Sequence, residues 1–358
     1  MAYTTIDDPS KYFQTATWTG SSGTDTITFD GNSDLQLDWL WSKCTSNAHS
    51  HALMDTSRIT SGDYLPLFAD TTDVEQTFYD SELQSILSDG FTVGTQPHAG
   101  GDGKTYVGFA WKANGGSTTS VSASGTVLAG TYQANTTAGF SIMTYTGEDD
   151  TVNTVTHGLG AVPAWIIVKG RSGSGRHWRI YHHKNTSAPE TDYLRLNETG
   201  ATTDDVNYWY DTAPTSSVFS ISTANDVNAN TETYVAYAFA EVQGYSKFGS
   251  YTGNGNADGP FVYTGFKPAW LLVKRTDSTG DWSMYSNKLG GGNPINGRLE
   301  PNNDDTIVTG DNNFDFLSNG FKGRDTPTQM NADGGTYIYI AFAEHPFVSS
   351  KGVPTTAR

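Results

Sequence analysis

Pro163-Ala164-Trp165-Ile166-Ile167-Val168-Lys169 returns 105 residues later as Pro268-Ala269-Trp270-Leu271-Leu272-Val273-Lys274. It also stands 126 residues earlier, in weaker form, as Leu37-Asp38-Trp39-Leu40-Trp41-Ser42-Lys43. Repetition on this scale is read before any single element, because each copy then becomes one structural unit. Upstream of each copy lies an aromatic-Thr-Gly: Trp18-Thr19-Gly20, Tyr145-Thr146-Gly147 and Tyr251-Thr252-Gly253, with gaps from Gly to Trp of 19, 18 and 17 residues. Downstream comes a strand-like segment, around Ala52-Leu53-Met54, Trp178-Arg179-Ile180 and Trp282-Ser283-Met284. Then follow Leu87-Ser88-Asp89-Gly90-Phe91, Thr215-Ser216-Ser217-Val218-Phe219 and Leu317-Ser318-Asn319-Gly320-Phe321. Each unit closes with a Thr-Tyr strand: Thr105 to Trp111, Thr233 to Phe239 and Thr336 to Phe342, the Phe-to-Tyr distances being 15, 15 and 16. Five blocks in one order at near-constant spacing read as an internal triplication.

The closing strands alternate with period two. Val107, Phe109 and Trp111 point one way and Gly108 and Ala110 the other; Val235, Tyr237 and Phe239 oppose Ala236, Ala238 and Ala240; Ile338, Ile340 and Phe342 oppose Tyr339, Ala341 and Ala343. A bulky face and a small face suit a sheet packed on one side and closely approached on the other. The Trp-Ile-Ile-Val run is apolar on both faces, which suggests a central strand. Units of this length, with many short strands and Gly/Asn/Asp turns, match a β-sandwich or jelly roll. A propeller blade of about 40–45 residues is too short to match. The expected fold is all-β: three tandem β-sandwich, jelly-roll-like modules at 1–112, 138–245 and 246–358. The Gly/Ser/Thr-rich stretch 113–137 reads as a linker or an extra edge strand. The alternative is one pseudo-threefold β body whose modules surround a common axis. Val74 to Leu87, with Phe78, Leu83, Ile86 and Leu87, is the best helical candidate.

Composition narrows the function. Charged residues make up 16% of the 358, against about 25% in an average soluble domain. Aromatics reach 13%, and rings in such number need burial, which argues against disorder. The net charge of −17 makes nucleic acid a poor partner, since phosphate binding depends on Lys and Arg. The first ten residues lack a basic region followed by an apolar stretch, so no secretory signal is read. Ala161 to Val168, the most apolar run, falls far short of the ~20 residues of a membrane helix, and no membrane insertion is expected. Cys44 is the only cysteine, which excludes an intrachain disulfide and a cysteine-only zinc site. Folding in a reducing cytosol is expected.

Residues with chemical potential are few. His49-x-His51 would share a strand face, as metal ligands can, but no third ligand stands nearby. His182-His183 would point to opposite faces. The acidic groups Glu148-Asp149-Asp150, Asp204-Asp205 and Asp304-Asp305 sit in loops, where hard oxygen ligands suit calcium, yet none has the alternating spacing of an EF-hand. Asn256-Ala257-Asp258-Gly259 and Asn331-Ala332-Asp333-Gly334 repeat one tetrapeptide and read as tight turns. Lys43, Lys169 and Lys274 are the charged residue kept in all three copies, and an exposed strand end or an ion pair explains them. No nucleophile elbow, phosphate loop or dinucleotide fingerprint occurs. No catalytic, cofactor-binding or metal-binding residue is assigned, and no enzyme activity or cofactor is expected.

Ile6-Asp7-Asp8-Pro9-Ser10-Lys11-Tyr12-Phe13-Gln14-Thr15 resembles the opening of virion-associated proteins of marine tailed bacteriophages of the cyanophage and pelagiphage type. Tyr245-Ser246-Lys247-Phe248-Gly249-Ser250-Tyr251-Thr252-Gly253-Asn254-Gly255, followed by Gly259-Pro260-Phe261-Val262-Tyr263-Thr264-Gly265-Phe266, resembles the same proteins. The resemblance runs through nearly the whole chain. Unit one departs most, with Leu37-Asp38 in place of Pro-Ala and an insertion. The resemblance implies a non-enzymatic virion structural protein, made in the host cytoplasm and placed on the outer surface of the virion. Its expected form is a tail fibre or appendage contacting the host; the alternatives are a capsid decoration or head-fibre protein, and a glycan-binding or glycan-cleaving tailspike. Other virion proteins and a host surface glycan or protein are the implied partners. By analogy with fibres a homotrimer is expected, and the small-residue faces of the closing strands are its physical support.

Overall fold

The computed structural model describes residues 3–77 and 82–355, and the chain is nearly all β. The three repeats produce the same strand order. In each unit an opening strand (Phe13–Thr19, Phe140–Thr146, Ser246–Thr252) pairs with the closing strand (Thr105–Trp111, Thr233–Phe239, Thr336–Pro346). The closing strand pairs in turn with the Trp strand (Trp39–Cys44, Trp165–Gly170, Phe266–Arg275), and that with the next (Ala52–Asp55, Arg179–His182, Ser283–Ser286). All pairings are antiparallel, and Trp39, Trp165 and Trp270 face Trp111, Phe239 and Phe342. The Trp strand is therefore central, as its two apolar faces require.

A second sheet covers each of these. Asp25–Ile27 pairs with Phe91–Val93, Asn153–Thr156 with Val218–Ile221, and Phe261–Tyr263 with Gly320–Gly323. Each unit is thus a sandwich with its own core. Ala236, Ala238 and Ala240 line one such core, Ala110 another, and Tyr339, Ala341 and Ala343 the third. A Cβ on Gly108 would come to 3.0 Å of the Trp18 ring. The small faces of the closing strands are filled inside the chain, by each unit's own second layer. They offer no surface to a neighbouring copy, and this physical support for a trimer falls away.

The bulky faces meet one another. Val107, Phe109, Trp111, Val235, Tyr237, Phe239, Ile338, Ile340 and Phe342 belong to one buried cluster with Trp39, Trp165 and Trp270. Trp39 of the first unit stacks on Tyr237 of the second at 4.4 Å between ring centres. Phe13 stacks on Phe342 at 5.3 Å, and Trp111 meets Trp270 edge-on at 5.6 Å. The bulky faces of the three sandwiches therefore pack on one shared core.

The stretch 113–137 supplies two edge strands. Thr119–Val121 pairs with Gly130–Asn135, which pairs with Phe140–Thr146. The helix expected over 74–87 is not found. Val74 to Gln76 are irregular, Leu83–Ile86 is a strand paired with Phe91–Val93, and Phe78 lies outside the described residues. Leu83 and Ile86 both pack on the first unit's core, brought to one side by a register shift in the strand after Leu83, so a bulged strand reproduces a spacing that reads as helical.

Truncating Trp270→Ala empties a ring from the shared core and is expected to cost about 3–5 kcal/mol. Chemical denaturation followed by fluorescence checks this; a loss under about 1 kcal/mol would place the ring outside the energetic core.

Candidate functional site

The charged residue common to the three copies lies inside the molecule. Lys43, Lys169 and Lys274 are fully buried, not at exposed strand ends, and none has a carboxylate partner. Lys43 Nζ donates to the carbonyls of His49 (2.6 Å) and Asp304 (3.0 Å). Lys169 Nζ donates to those of Arg176 (2.5 Å) and Thr71 (3.5 Å), and Lys274 Nζ to those of Gly280 (2.7 Å) and Thr199 (3.0 Å). In each case one carbonyl is local and the other belongs to a different unit. Unit one reaches three, two reaches one, and three reaches two, so the contacts close a ring. Burial lowers the three ammonium groups to pKa values of about 8, 7 and 8 in chain order. With pKa values of about 8, Lys43 and Lys274 stay largely protonated at pH 7, each an ammonium with three N–H donors that finds two carbonyl acceptors.

A second set of contacts runs beside the first. Trp178 Nε1 donates to the Phe68 carbonyl at 2.7 Å and Trp282 Nε1 to the Arg195 carbonyl at 2.8 Å. The equivalent place in unit one holds His51. Its Nδ1 accepts from Trp41 Nε1 at 3.0 Å, and its Nε2 is buried with no hydrogen-bond partner among the described residues. The backbone of Glu300 in unit three lies close to His51, and burial holds the imidazole pKa well below the usual value. His49 turns elsewhere and accepts from Lys104 Nζ at 2.8 Å. The two do not form a metal pair. His182 and His183 likewise reach carbonyls of unit three, those of Tyr339 (3.2 Å) and Phe248 (2.8 Å).

The acidic groups have backbone duties, and Asp204 is not in a loop but in the short strand Thr203–Asp204, paired with Asp192–Arg195. Asp205 caps the helical turn Val206–Trp209, and the Asp304 carbonyl receives Lys43. Glu148 N–H and Asp149 N–H donate to the side chain and carbonyl of buried Asn228. Among the described residues no group of three or more His, Cys, Asp and Glu could hold a metal. The two Asn-Ala-Asp-Gly copies differ in role. Asn254 and Asn256 make successive turns at the surface, whereas Asn331 is fully buried and its amide bonds the carbonyls of Asn256 and Asp325 at 2.8 Å each.

Sequence reading missed three features. The closing-strand tyrosines form a clasp: Tyr106, Tyr234 and Tyr337 accept from the N–H of Gly101, Ala229 and Ala332, and donate to the carbonyls of Pro97, Asn225 and Thr328. A Cβ on Gly20, Gly147 or Gly253 would collide with the carbonyl of the same residue whose N–H is clasped, 101, 229 or 332, which explains the Gly of the aromatic-Thr-Gly signal. Second, Arg58 is buried among Asp55, Glu75 and the carbonyls of Leu53 and Leu65, while Arg171 of unit two holds the same Glu75. Third, Glu82 and His98 form a buried pair at 2.6 Å; units two and three have no such pair among the described residues. Nothing in spacing announces the Arg58 web or the Glu82–His98 pair, because their members are brought together only by the sandwich.

What remains open at the surface is the seam between units. Asp38, standing where the other copies have Ala, accepts from the N–H groups of Ala113, Gly115 and Gly116 at 2.7–2.9 Å. It fastens the insertion, whose strand Gly130–Asn135 then fills the seam between units one and two; Gln133 Nε2 donates to Thr56 and Ser57. The other two seams are unfilled clefts. One, of about 560 Å³, runs beside Ser250, Tyr251 and Thr252, and the other, of about 430 Å³, beside Thr17, Trp18 and Thr19.

Residues 8–346 match the family model described as a domain of unknown function, DUF7483. The chain belongs to this family. No curated protein and no solved structure matches it.

The buried lysines set a pH dependence. Unfolded, each titrates near its ordinary value of about 10.4; folded, Lys169 titrates at about 7. Above that the unfolded chain binds more protons, and stability rises with pH. Between about pH 7 and 9.5 the native chain is expected to gain stability relative to Lys169→Met. Denaturant midpoints across that window test it, and parallel profiles for the two proteins would refute it. Chelation is expected to leave folding intact: a melting temperature that falls on adding EDTA would reveal a structural metal.

Proposed function

We propose that this chain is a non-enzymatic structural protein on the outer surface of a bacteriophage virion, acting as a tail fibre or appendage that contacts the host. The observation that carries the reading is the resemblance at residues 6–15 and 245–266 to virion proteins of marine tailed phages. The architecture is compatible with the role. Three sandwiches locked about one aromatic core make a stiff body, and stiffness suits an appendage that presents loops to a partner. The trimer expectation keeps the family analogy alone, since one chain here makes internally the threefold packing that three fibre chains would make together.

Capsid decoration is the second reading, because a compact body with threefold-related faces also fits a threefold site on a shell. The tailspike reading is weakened by burial. Eight of the nine tryptophans are buried, leaving Trp18 half-buried, so stacking on sugars would fall to Tyr210, Phe261 and Tyr263 at the surface.

Imaging virions that carry a labelled copy tests the proposal. Density on tail tips or fibres is expected, density on the capsid would move the protein to the second reading, and absence from virions would overturn both. Release of reducing ends from host polysaccharide would overturn the non-enzymatic assignment.

A further inference from the structure

The opening strand is the edge of the main sheet in units one and three, whereas in unit two the same edge is covered by Gly130–Asn135. An uncovered edge presents a row of backbone donors and acceptors, and such edges are where extended chains add. The direction of these groups follows from the bonds the strands already make. Lys112 N–H donates to the Tyr12 carbonyl, Ala240 N–H to Gly139 and Ala343 N–H to Tyr245. Residues 12, 139 and 245 therefore face the closing strand. By alternation Thr17, Thr19, Ser250 and Thr252 turn their backbone N–H and C=O away from it. All four residues are exposed, and none of these groups meets a partner among the described residues. In unit two the corresponding Thr144 pairs with Thr131, and Thr146 N–H donates to the Ala129 carbonyl.

We propose that the two open clefts are docking sites for an extended segment of a partner protein, which adds as an antiparallel strand to Phe13–Thr19 and to Ser246–Thr252. The chain itself shows the kind of segment that fits. The filled seam takes Gly-Thr-Tyr-Gln-Ala-Asn, six uncharged residues, and its Gln133 and Asn135 bond across the seam to Thr56, Ser57 and the carbonyls of Lys112 and Ala113. Charge in the open clefts is largely paired. Lys247 is paired with Glu241 at 2.5 Å, Lys288 with Asp30 at 2.5 Å, and Lys267 with Glu344 at 2.7 Å. Lys184, exposed beside the cleft between units two and three, has no ion pair among the described residues, so the filled seam's own chemistry sets the expectation: a polar segment rich in Thr, Gln and Asn. In the cleft between units two and three, His183 already bonds the Phe248 carbonyl and Glu241 faces its N–H at 3.4 Å. These side chains stand in for a strand over the first half of the edge. Ser250 and Thr252 are the half left open, and a docked segment starts there. The inference is independent of the virion assignment.

A labelled peptide of residues 127–137 added to the full chain is the probe, read by fluorescence anisotropy and by amide hydrogen exchange. Binding is expected with new protection at residues 17–19 and 250–252. The double variant Thr17→Pro/Ser250→Pro removes the outward N–H groups at an edge, where proline is tolerated, and is expected to weaken binding by about tenfold or more. Thr17→Lys/Ser250→Lys, which blunts the edges without touching the backbone, is the control for a proline variant that fails to fold. Absence of binding up to about 1 mM, protection elsewhere, or unaltered affinity in the lysine variant would overturn the proposal. Self-association of the chain that the same substitutions abolish would also overturn it, by making a second copy the occupant.

Discussion

Everything in this fold depends on the closing strands turning their large side chains toward one another across three sandwiches. A buried aromatic ring removes about 150–250 Å² from water, which at about 25 cal/mol per Å² is worth roughly 4–6 kcal/mol. The shared cluster holds Trp39, Trp111, Trp165, Trp270, Tyr237, Phe239 and Phe342, drawn from all three units. No single unit could cover such a face alone. The indole N–H groups of Trp39, Trp111, Trp165 and Trp270 meet no acceptor among the described residues, a loss of about 1–3 kcal/mol for each buried donor left unmade. That the fold tolerates four of them shows how far ring burial outweighs it.

Around this apolar centre lies a polar girdle that fixes rotation. Aromatic packing alone permits sliding, whereas a lysine amine or an indole N–H reaching a carbonyl of the next unit has one geometry. The girdle repeats with the units through Lys43, Lys169 and Lys274, and in two of the three junctions also through Trp178 and Trp282. It is supplemented where the sequence departs from the repeat. Between units one and two, Glu75 bridges Arg58 and Arg171, and Tyr237 donates to Asp55 at 2.7 Å. Charges buried in this way are satisfied by several partners, the condition under which burial of an ion pair is tolerated.

The repeat, the strands and their alternation were legible because each is written in neighbouring residues. The sequence also contained both possible arrangements of the modules, and the bulky faces of Val107/Phe109/Trp111 and their counterparts were the deciding clue. A face with three large residues and no polar one needs more cover than a neighbouring loop provides. The small faces were left open to a layer from within the chain or from another copy, because periodicity tells that two faces differ and not which of them a second sheet will take. The lysines were read as exposed for a similar reason. Charge favours the surface, and only the ring of carbonyls, assembled from segments far apart in sequence, makes an interior position acceptable. The clefts were not legible, since they are spaces between units and no residue type marks them.

The two departures of the first unit prove to be one device. Asp38 breaks the Pro-Ala-Trp pattern, and the insertion breaks the spacing, and each would be a defect without the other. A buried carboxylate at that position needs donors, and the glycine-rich start of the insertion supplies three backbone N–H groups. The insertion in turn needs an anchor to hold its strand against Phe140–Thr146, and Asp38 provides it. The units with Ala164 and Ala269 lack that anchor, and their seams stay open. The repeat is therefore broken at one seam by a matched pair of changes, and in the core as well: Phe109 and Tyr237 meet Trp270 and Trp39, whereas the third unit has Ile340 at that place.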